Sequence, residues 1–360
     1  MTKTWAKVGG AAIVAMVVTA CAPASPGSSP SSTDAAAATS GEAAAAPAAG
    51  EDTTLSLVGY AVPKAANNAI QELWSQTDEG AGVTWTESYG ASGDQSRAVE
   101  SGLDADYVHF SLEGDVTRLV DAGLVDADWN EGEHGGIVSS SVVVFAVRPG
   151  NPLGVDSWDD LIADGVEIVT PNPGSSGSAR WNILAGWGQV IADGGSEEDA
   201  KEYTSALFDN VVALPGSGRD ATSAFLSGTG DVLLSYENEA ILAKQEGEEI
   251  DYVLPDTTLR IDNPGAVLKD ADPRAEAWLD FLYAPEAQGE FAKLGFRPVI
   301  DGVEVGEVEG ANDPADPFPA PAALLTIDDD FGGWEAANPE FFDPDTGIIT
   351  QIQVETGKSS

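Results

Sequence analysis

The sequence predicts an α/β fold in which mainly parallel sheets are flanked by helices, and three observations support this. Short runs of apolar and β-branched residues alternate with helical stretches from Thr53 onward. Strands that alternate with helices of this length are typical of parallel sheets covered on both faces. The composition, with 42% hydrophobic residues and 9 Trp among 360 residues, is that of a globular core, and the length suits roughly two domains.

The first alternating unit begins at Thr53. Its helix over 65–75 is predicted from the spacing of Ile70, Leu73 and Trp74, which places all three on one face. The other predicted elements of this unit are strands over 55–60, 83–88 and 107–110, and helices from about 94 and from about 115.

A second alternating unit follows a long buried strand that is predicted over 142–147. Its predicted elements are a helix over 157–162, a strand over 166–169, helices around 180–190 and 197–207, a strand over 211–214, a helix from about 220, a strand over 232–235 and a helix from 238. Helices over 273–281 and 285–294 are predicted to close the compact part, and residues 353–360 to form a frayed tail.

The charge of the chain excludes several classes of partner. It has 60 Asp and Glu against 16 Lys and Arg, which gives a formal net charge of −44. Such a chain repels phosphate backbones and anionic membrane surfaces, so binding to nucleic acid or to a membrane through a basic patch is excluded. Its single Cys allows neither an intrachain disulfide nor a zinc cluster built on cysteines.

The N-terminus predicts an export signal of the lipoprotein type over residues 1–21. Two lysines precede an apolar stretch over 8–18 that is too short to span a bilayer. Small residues then lead into Cys21, which resembles the bacterial lipobox, where the cysteine is diacylated and becomes the new N-terminus. An ordinary signal peptide with a chance cysteine is the alternative. Residues 22–52 are almost entirely Ala, Pro, Ser, Gly and Thr, which predicts a disordered tether.

Three loops rich in Gly and Ser each follow a predicted strand and precede a predicted helix. They cover residues 89–93, 173–178 and 215–219. In open α/β sheets, ligands bind at the carboxyl ends of the strands, where such loops lie. Helix N-termini carry unpaired N–H donors and a partial positive charge, so three of them predict a neutral cage for an anion. Each loop alone has an ordinary alternative, since Ser and Gly are common N-cap and turn residues.

Residues 171–182 resemble a near-identical segment of the periplasmic sulfate-binding proteins of ABC importers, in which Ser-Gly-Gly replaces Ser176, Gly177 and Ser178. Further matches lie at residues 147–152, 158–161, 230–233, 237–240, 326–328 and 331–334. The resemblance implies a two-lobed type II periplasmic-binding-protein fold that closes over a dehydrated oxyanion in the interlobe cleft. The domains expected from it are lobe I over 53–138, lobe II over 139–253, and a second part of lobe I with a C-terminal extension over 254–360.

The resemblance also implies which residues contact the ligand. In the family the dianion is held by backbone N–H groups, serine hydroxyls and one indole N–H, without a salt bridge to a charged side chain. The matching positions in this sequence are Ala61, Ser92, Ser176, Gly177, Ser178, Gly218 and Tyr236. Tyr236 stands where the family has tryptophan, and Ala61 where it has an aspartate that contributes only its N–H. Arg219 matches an arginine that bonds loop carbonyls behind the site rather than the ligand.

The donor chemistry favours a fully ionised tetrahedral anion. Sulfate at neutral pH has no proton to donate, so its site needs donors only, whereas a phosphate site needs an acceptor for the ligand proton. Hydroxyls and amides dominate the three loops. Asp94 and Asp220 follow two of these loops, and their ordinary role is to stabilise the first turn of a helix. Thiosulfate, phosphate and molybdate remain alternative ligands.

No catalytic constellation, metal site or cofactor is predicted. The histidines His109 and His134 lie outside any nucleophile-elbow context, and a core or surface role is expected for both. The acidic runs over 328–330 and 343–345 have no EF-hand register. A surface-tethered hydrolase or a structural lipoprotein is the alternative of a different class. The predicted function is that of a lipid-anchored, extracytoplasmic, monomeric receptor that captures sulfate and delivers it to an ABC permease.

Overall fold

A computed structural model describes residues 52–358 of the chain. The predicted signal peptide, Cys21 and nearly all of the predicted tether lie outside these residues. Within the described part, strands and helices alternate as the sequence predicts. Across residues 52–358, no helix combines the length with the hydropathy that a membrane crossing requires.

The strands of the described chain form a connected sheet that contains two parallel sets. They are β1 (Thr53–Tyr60), β2 (Val83–Gly90), β3 (Tyr107–His109), β4 (Ile137–Val147), β5 (Ile168–Val169), β6 (Val211–Ala213), β7 (Val232–Tyr236), β8 (Asp251–Val253), β9 (Thr257–Val267) and β10 (Ala323–Leu325). Their order is β2-β1-β3-β9-β4-β7-β5-β6, with β8 on β4 and β10 on β9. β1 is parallel to β2 and β3, and β5 is parallel to β6 and β7. The antiparallel strands β4 and β9 join the two sets.

Helices follow most of the strands and cover the sheet. They are α1 (Lys64–Trp74), α2 (Ser92–Glu100), α3 (Glu113–Asp121), α4 (Trp158–Leu161), α5 (Gly177–Ala192), α6 (Glu197–Asn210), α7 (Gly218–Leu226), α8 (Glu237–Gln245), α9 (Arg274–Leu282), α10 (Pro285–Lys293), α11 (Ile327–Phe331), α12 (Trp334–Phe342) and α13 (Ile348–Glu355). The predicted α/β class with mainly parallel sheets flanked by helices is confirmed, and the antiparallel strands are confined to the junction between the two sets.

Strand β4 is longer than the sequence predicts, because it begins at Ile137 rather than at residue 142. Its first half pairs with β9 and its second half with β7. The first half of β4 could not be predicted from apolar residues, because residues 139–141 are three serines. All three serines are buried in the structure. The hydroxyl of Ser140 finds its partner across the strand pair, where it donates to Asp262 Oδ1 at 3.1 Å. Buried polar side chains are acceptable in a strand when a partner is within reach.

The central strand β9 escapes the sequence analysis because its composition is unusual for a buried strand. It contains Arg260, Asp262, Pro264 and Gly265, residue types that strands disfavour. Arg260 Nε donates a hydrogen bond to Asp262 Oδ2 at 2.7 Å, so each charged side chain has a partner. Pro264 lies opposite Ile137, at the end of the β4–β9 pairing where the register shifts. A proline at such an irregularity removes no regular ladder bond.

The C-terminal segment corrects the prediction of a frayed tail over 353–360. Helix α13 continues to Glu355, and Ile349 and Ile352 on its inner face are fully buried in the main core cluster. Lys358 Nζ donates to the first carbonyl of β6 at 2.5 Å. The compact part therefore does not end with the predicted helix over 285–294. The apolar residues of α13 pack the described end of the chain against the core as well.

The histidines occupy a core and a partly exposed position. His109 is fully buried in β3, with Nδ1 3.2 Å from Asn67 Oδ1 and Nε2 3.2 Å from Ser139 Oγ. Burial lowers the pKa of His109 to about 3, so this side chain is neutral at physiological pH. His134 is half-buried and stacks on Tyr283.

Candidate anion-binding site

The loops at the carboxyl ends of β1, β2, β3, β5 and β6 lead into helices and meet around one small cavity. Parallel strands bring such loops to the same edge of a sheet, and here both parallel sets contribute. The space between these loops is about 170 Å³, has no room for the centre of a water molecule, and is lined by Tyr60, Ala61, Val62, Gly90, Ala91, Ser92, Ser111, Ser176, Gly177, Ser178, Ser217 and Gly218. Six of the seven contact residues predicted from the sequence therefore lie together, the exception being Tyr236.

Tyr236, the last residue of β7, lines an adjoining cavity of about 170 Å³. This second cavity shares Val62, Ser178 and Gly218 with the first. Tyr236 is 1% exposed, and its hydroxyl oxygen lies 2.8 Å from Ser111 Oγ. The predicted tyrosine is thus connected to the first cavity through a serine that the sequence analysis did not identify.

Backbone N–H groups at two helix N-termini point to an anion site. Gly177 and Ser178 open α5, and Gly218 opens α7. The N–H groups of a helix's first turn have no partner within the helix. No hydrogen bond within residues 52–358 uses these three N–H groups. They are available as donors, and each lies at the positive end of a helix dipole.

Two of the predicted donors are engaged elsewhere in this structure. The N–H of Ala61 donates to the carbonyl oxygen of Gly90 at 2.9 Å, and that of Ser176 to Asn172 at 2.8 Å. Ala61 therefore lines the cavity without a free N–H. The hydroxyl of Ser176 makes no hydrogen bond within the described part of the chain, so it remains a donor for a ligand.

Ser92 is tied to a buried carboxyl group that the sequence analysis did not single out. Ser92 Oγ donates to Asp115 Oδ2 at 2.6 Å and accepts the N–H of Ser111 at 2.9 Å. Asp115 is 5% exposed. Burial raises the pKa of Asp115, against the hydrogen bond from Ser92 and the positive charges of the arginines around it. The proton of Ser92 is thus engaged, and its hydroxyl must turn away from Asp115 to donate to a ligand.

Two glycines permit the close approach of the loops. A Cβ atom built on Gly177 would lie 2.5 Å from Ser111 Oγ and 2.8 Å from Leu112 Cγ. A Cβ atom on Gly218 would lie 2.8 Å from Ser178 Oγ. A larger residue at Gly177 requires the loop with Ser111 and Leu112 to move, whereas one at Gly218 requires at least that the Ser178 hydroxyl turn away.

Arg219 lies behind the cavity rather than in its lining. Its Nη2 donates to Glu239 Oε1 at 2.7 Å and to the carbonyl oxygen of Val62 at 3.4 Å. Glu239 also accepts from Thr222 Oγ1 at 3.0 Å. Burial raises the pKa of Glu239, and the charge of Arg219 opposes this shift. The arginine thus joins the loop after β1 to a buried carboxyl group.

No Lys, Arg or His is among the residues that line the cavity within the described part of the chain. The two carboxylates considered in the sequence analysis also lie outside the lining. Asp94 pairs with Arg97 at 2.5 Å, and Asp220 accepts from Ser217 Oγ at 2.8 Å. An anion in this cavity would be held by neutral donors, namely N–H groups and hydroxyls, in the first turns of several helices.

The chain is similar to several known proteins. Residues 55–297 match the family model described as bacterial extracellular solute-binding protein. A sulfate-binding protein of Synechococcus elongatus is 41% identical over 316 residues, covering 85% of this chain and 88% of that protein. One from Synechocystis is 38% identical, covering 87% of this chain and 91% of that protein. The solved structure of the sulfate-binding protein SubI from Mycobacterium tuberculosis superposes with a TM-score of 0.76 at 44% identity, covering 81% of this chain and all of that one. The predicted two-lobed type II fold is confirmed by this likeness.

Proposed function

This chain belongs to the sulfate-binding proteins within the bacterial extracellular solute-binding family, and we propose that it is the receptor of an ABC importer that captures sulfate and delivers it to the permease. The observation that carries the proposal is the set of N–H donors of Gly177, Ser178 and Gly218, which have no partner within residues 52–358 and lie around one small cavity. The relatives named as sulfate-binding proteins support the choice of ligand. A fully ionised tetrahedral anion suits a site whose lining offers donors and no cation.

Neutral donors supply enough free energy for this task. A hydrogen bond to a charged group contributes about 1.5–3 kcal/mol. Six or seven such bonds give on the order of 10–20 kcal/mol, from which desolvation and the closure of the lobes subtract. A net value of about −8 kcal/mol corresponds to micromolar affinity. The net charge of −44 mainly slows the approach of the anion to the protein. It has little effect on the bound anion, because the fixed dipoles of the cavity lie next to the anion whereas the surface carboxylates are screened by salt.

The ligand contacts we propose are the cavity residues identified from the sequence. Gly177, Ser178 and Gly218 donate through their N–H groups, and Ser176 through its hydroxyl. Ser92 donates once its hydroxyl turns from Asp115 Oδ2. Ala61 contributes its N–H if the bond to Gly90 opens, and Tyr236 takes part through its link to Ser111. Arg219 supports the site from behind without touching the anion.

The remaining parts of the proposal concern the export and motion of the protein. Cys21 would carry the lipid anchor at the outer face of the cytoplasmic membrane, and residues 22–52 would tether the monomeric receptor to it. Lobe I would consist of residues 53–138 and 254–360, and lobe II of residues 139–253. Ligand contacts from both lobes would bias a hinge motion toward the closed state. No catalytic step is proposed.

A calorimetric titration of the purified protein with sulfate tests this function. We expect micromolar or tighter affinity for sulfate at pH 7 and weaker binding of phosphate, because the lining within residues 52–358 offers no carboxylate to accept the phosphate proton. Thiosulfate and molybdate complete the panel, since their charge and shape are similar. Absence of sulfate binding by folded protein, or tighter binding of phosphate than of sulfate, would contradict the proposal.

A further inference from the structure

We propose that Ser111 is a further anion-contacting residue and that Tyr236 acts on the anion through Ser111. The two hydroxyls form a pair in which one proton remains free to be donated to the anion. This inference rests on the proposed function, because it names a specificity-determining pair in the same site. It concerns residues that lie far apart in the sequence and meet only in the fold, at the ends of β3 and β7.

The geometry of the pair is well defined. Ser111 lines the first cavity, whereas Tyr236 lines the adjoining second cavity. Ser111 Oγ and Tyr236 Oη are 2.8 Å apart, which is an ordinary distance for a hydrogen bond between hydroxyls. Ser111 is fully buried and Tyr236 is 1% exposed. An anion in the first cavity would therefore meet the serine hydroxyl first, with the tyrosine behind it.

The two hydroxyls carry two protons, and the bond between them uses one. Within residues 52–358 neither hydroxyl donates another hydrogen bond of normal length, although Ser178 and Asn263 also lie close to the phenol oxygen. Burial raises the pKa of Tyr236, so the phenol keeps its proton at physiological pH. When Tyr236 donates to Ser111 Oγ, the proton of Ser111 is left for a third group. A buried hydroxyl without an acceptor is costly, and an oxyanion in the cavity would satisfy it.

The backbone of Ser111 is fixed by three hydrogen bonds. Its N–H donates to Ser92 Oγ at 2.9 Å. Its carbonyl oxygen accepts from Trp181 Nε1 at 2.9 Å and from Asn263 Nδ2 at 3.1 Å. Trp181 belongs to α5, the helix whose N-terminus offers free donors. The position of Ser111 Oγ is thus set before a ligand arrives, which reduces the ordering that binding requires.

The free end of α5 lies next to the serine hydroxyl. A Cβ atom on Gly177 would be only 2.5 Å from Ser111 Oγ, so this oxygen packs directly against the first residue of α5. An anion bound by the N–H groups of Gly177 and Ser178 would come within reach of the Ser111 hydroxyl as well. The pair thereby adds a hydroxyl donor beside the first N–H groups of α5.

A double-mutant cycle in the full-length protein tests the inference, with sulfate affinity measured by calorimetry. Ser111→Ala removes the contacting hydroxyl and is expected to weaken sulfate binding 10- to 100-fold. Tyr236→Phe leaves the serine in place and is expected to weaken binding about 3- to 10-fold. Because the tyrosine acts through the serine, adding Tyr236→Phe to Ser111→Ala should change the affinity less than twofold.

The control is Tyr203→Phe, which also removes a buried tyrosine hydroxyl, here one that donates to the carbonyl oxygen of Trp158 at 2.8 Å. It should lower the melting temperature and leave sulfate affinity unchanged. Unchanged affinity in Ser111→Ala, or independent effects that multiply in the double variant, would overturn the inference. If Ser111→Ala does not fold, unchanged affinity in Tyr236→Phe overturns it. Sulfate binding by the parent protein separates these outcomes from failure of the proposed function.

Discussion

Gly177→Ala is expected to lower sulfate affinity more than 100-fold while the protein remains folded. The added Cβ atom would lie 2.5 Å from Ser111 Oγ and 2.7 Å from Ser111 Cβ. Gly177 is not among the residues with positive φ, so the alanine is tolerated by its own backbone and acts only through this contact. To relieve the contact, the loop between β3 and α3 must move away from the start of α5. That movement separates the donors that surround the anion.

The affinity of Gly177→Ala for sulfate is measured by calorimetry, and its fold is checked by thermal unfolding. Gly289→Ala is the matched control, because Gly289 lies within α10 and a Cβ atom there meets nothing within 4 Å. The control should bind sulfate like the parent and be slightly more stable, since alanine favours a helix over glycine. A Gly177→Ala protein that binds within threefold of the parent would show that the close contact between the loops is not needed.

Arg297→Met is expected to cost about 3–5 kcal/mol of the free energy of unfolding at pH 7. Arg297 Nε and Nη2 donate to the two carboxylate oxygens of Glu237 at 2.8 and 3.1 Å. Glu237 is 1% exposed and follows Tyr236 directly in the chain. Without the guanidinium, a buried carboxylate next to the site is left uncompensated.

The cost of Arg297→Met should depend on pH in a definite direction. Burial raises the pKa of Glu237, and Arg297 opposes this shift. Removing the arginine raises the pKa of Glu237 in the folded state further above its pKa in the unfolded state. The folded variant then binds a proton more tightly than the unfolded variant does, so its stability increases as the pH falls. We expect the difference from the parent to be smaller at pH 5 than at pH 7.

Unfolding in denaturant at the two pH values measures both effects. Lys293→Met serves as the control, since Lys293 pairs with Glu290 on the surface and its side chain is 68% exposed. Exposed pairs contribute little, so the control should lie within about 0.5 kcal/mol of the parent. A loss below about 1 kcal/mol in Arg297→Met at pH 7, or a loss that grows at pH 5, would contradict the role given to the buried pair.

Elements with local patterns could be predicted from the sequence, and those that depend on distant partners could not. The helix α5 follows from its Gly-Ser loop and apolar stretch, which act within one segment. The first half of β4 contains serines whose burial makes sense only beside β9. Strand β9 itself contains Pro264 and Arg260, which local propensity disfavours. Its position in the sheet is determined by pairing with β3 and β4, and the residues of β9 alone do not indicate that pairing.

The candidate site shows the same division. Six predicted residues share the cavity because Gly and Ser loops that follow parallel strands reach the same edge of the sheet. Asp115 and Ser111 were missed because their contacts join positions that are distant in sequence. Asp115 accepts from Ser92, 23 residues away, and Ser111 bonds Tyr236, 125 residues away. Tyr236 was predicted from the sequence as a site residue, whereas the serine that accompanies it was not.

The most direct test of the central claim is the position of the bound anion in a crystal of the protein with selenate, a tetrahedral dianion located by its anomalous scattering. One anomalous peak is expected in the cavity lined by Ser92, Ser111 and Gly177, within hydrogen-bond distance of the first N–H groups of α5 and α7. A much wider cavity lies nearby and is lined in part by Arg97 and Arg180. Selenate found there against the guanidinium groups, with the small cavity empty, would contradict capture by neutral donors.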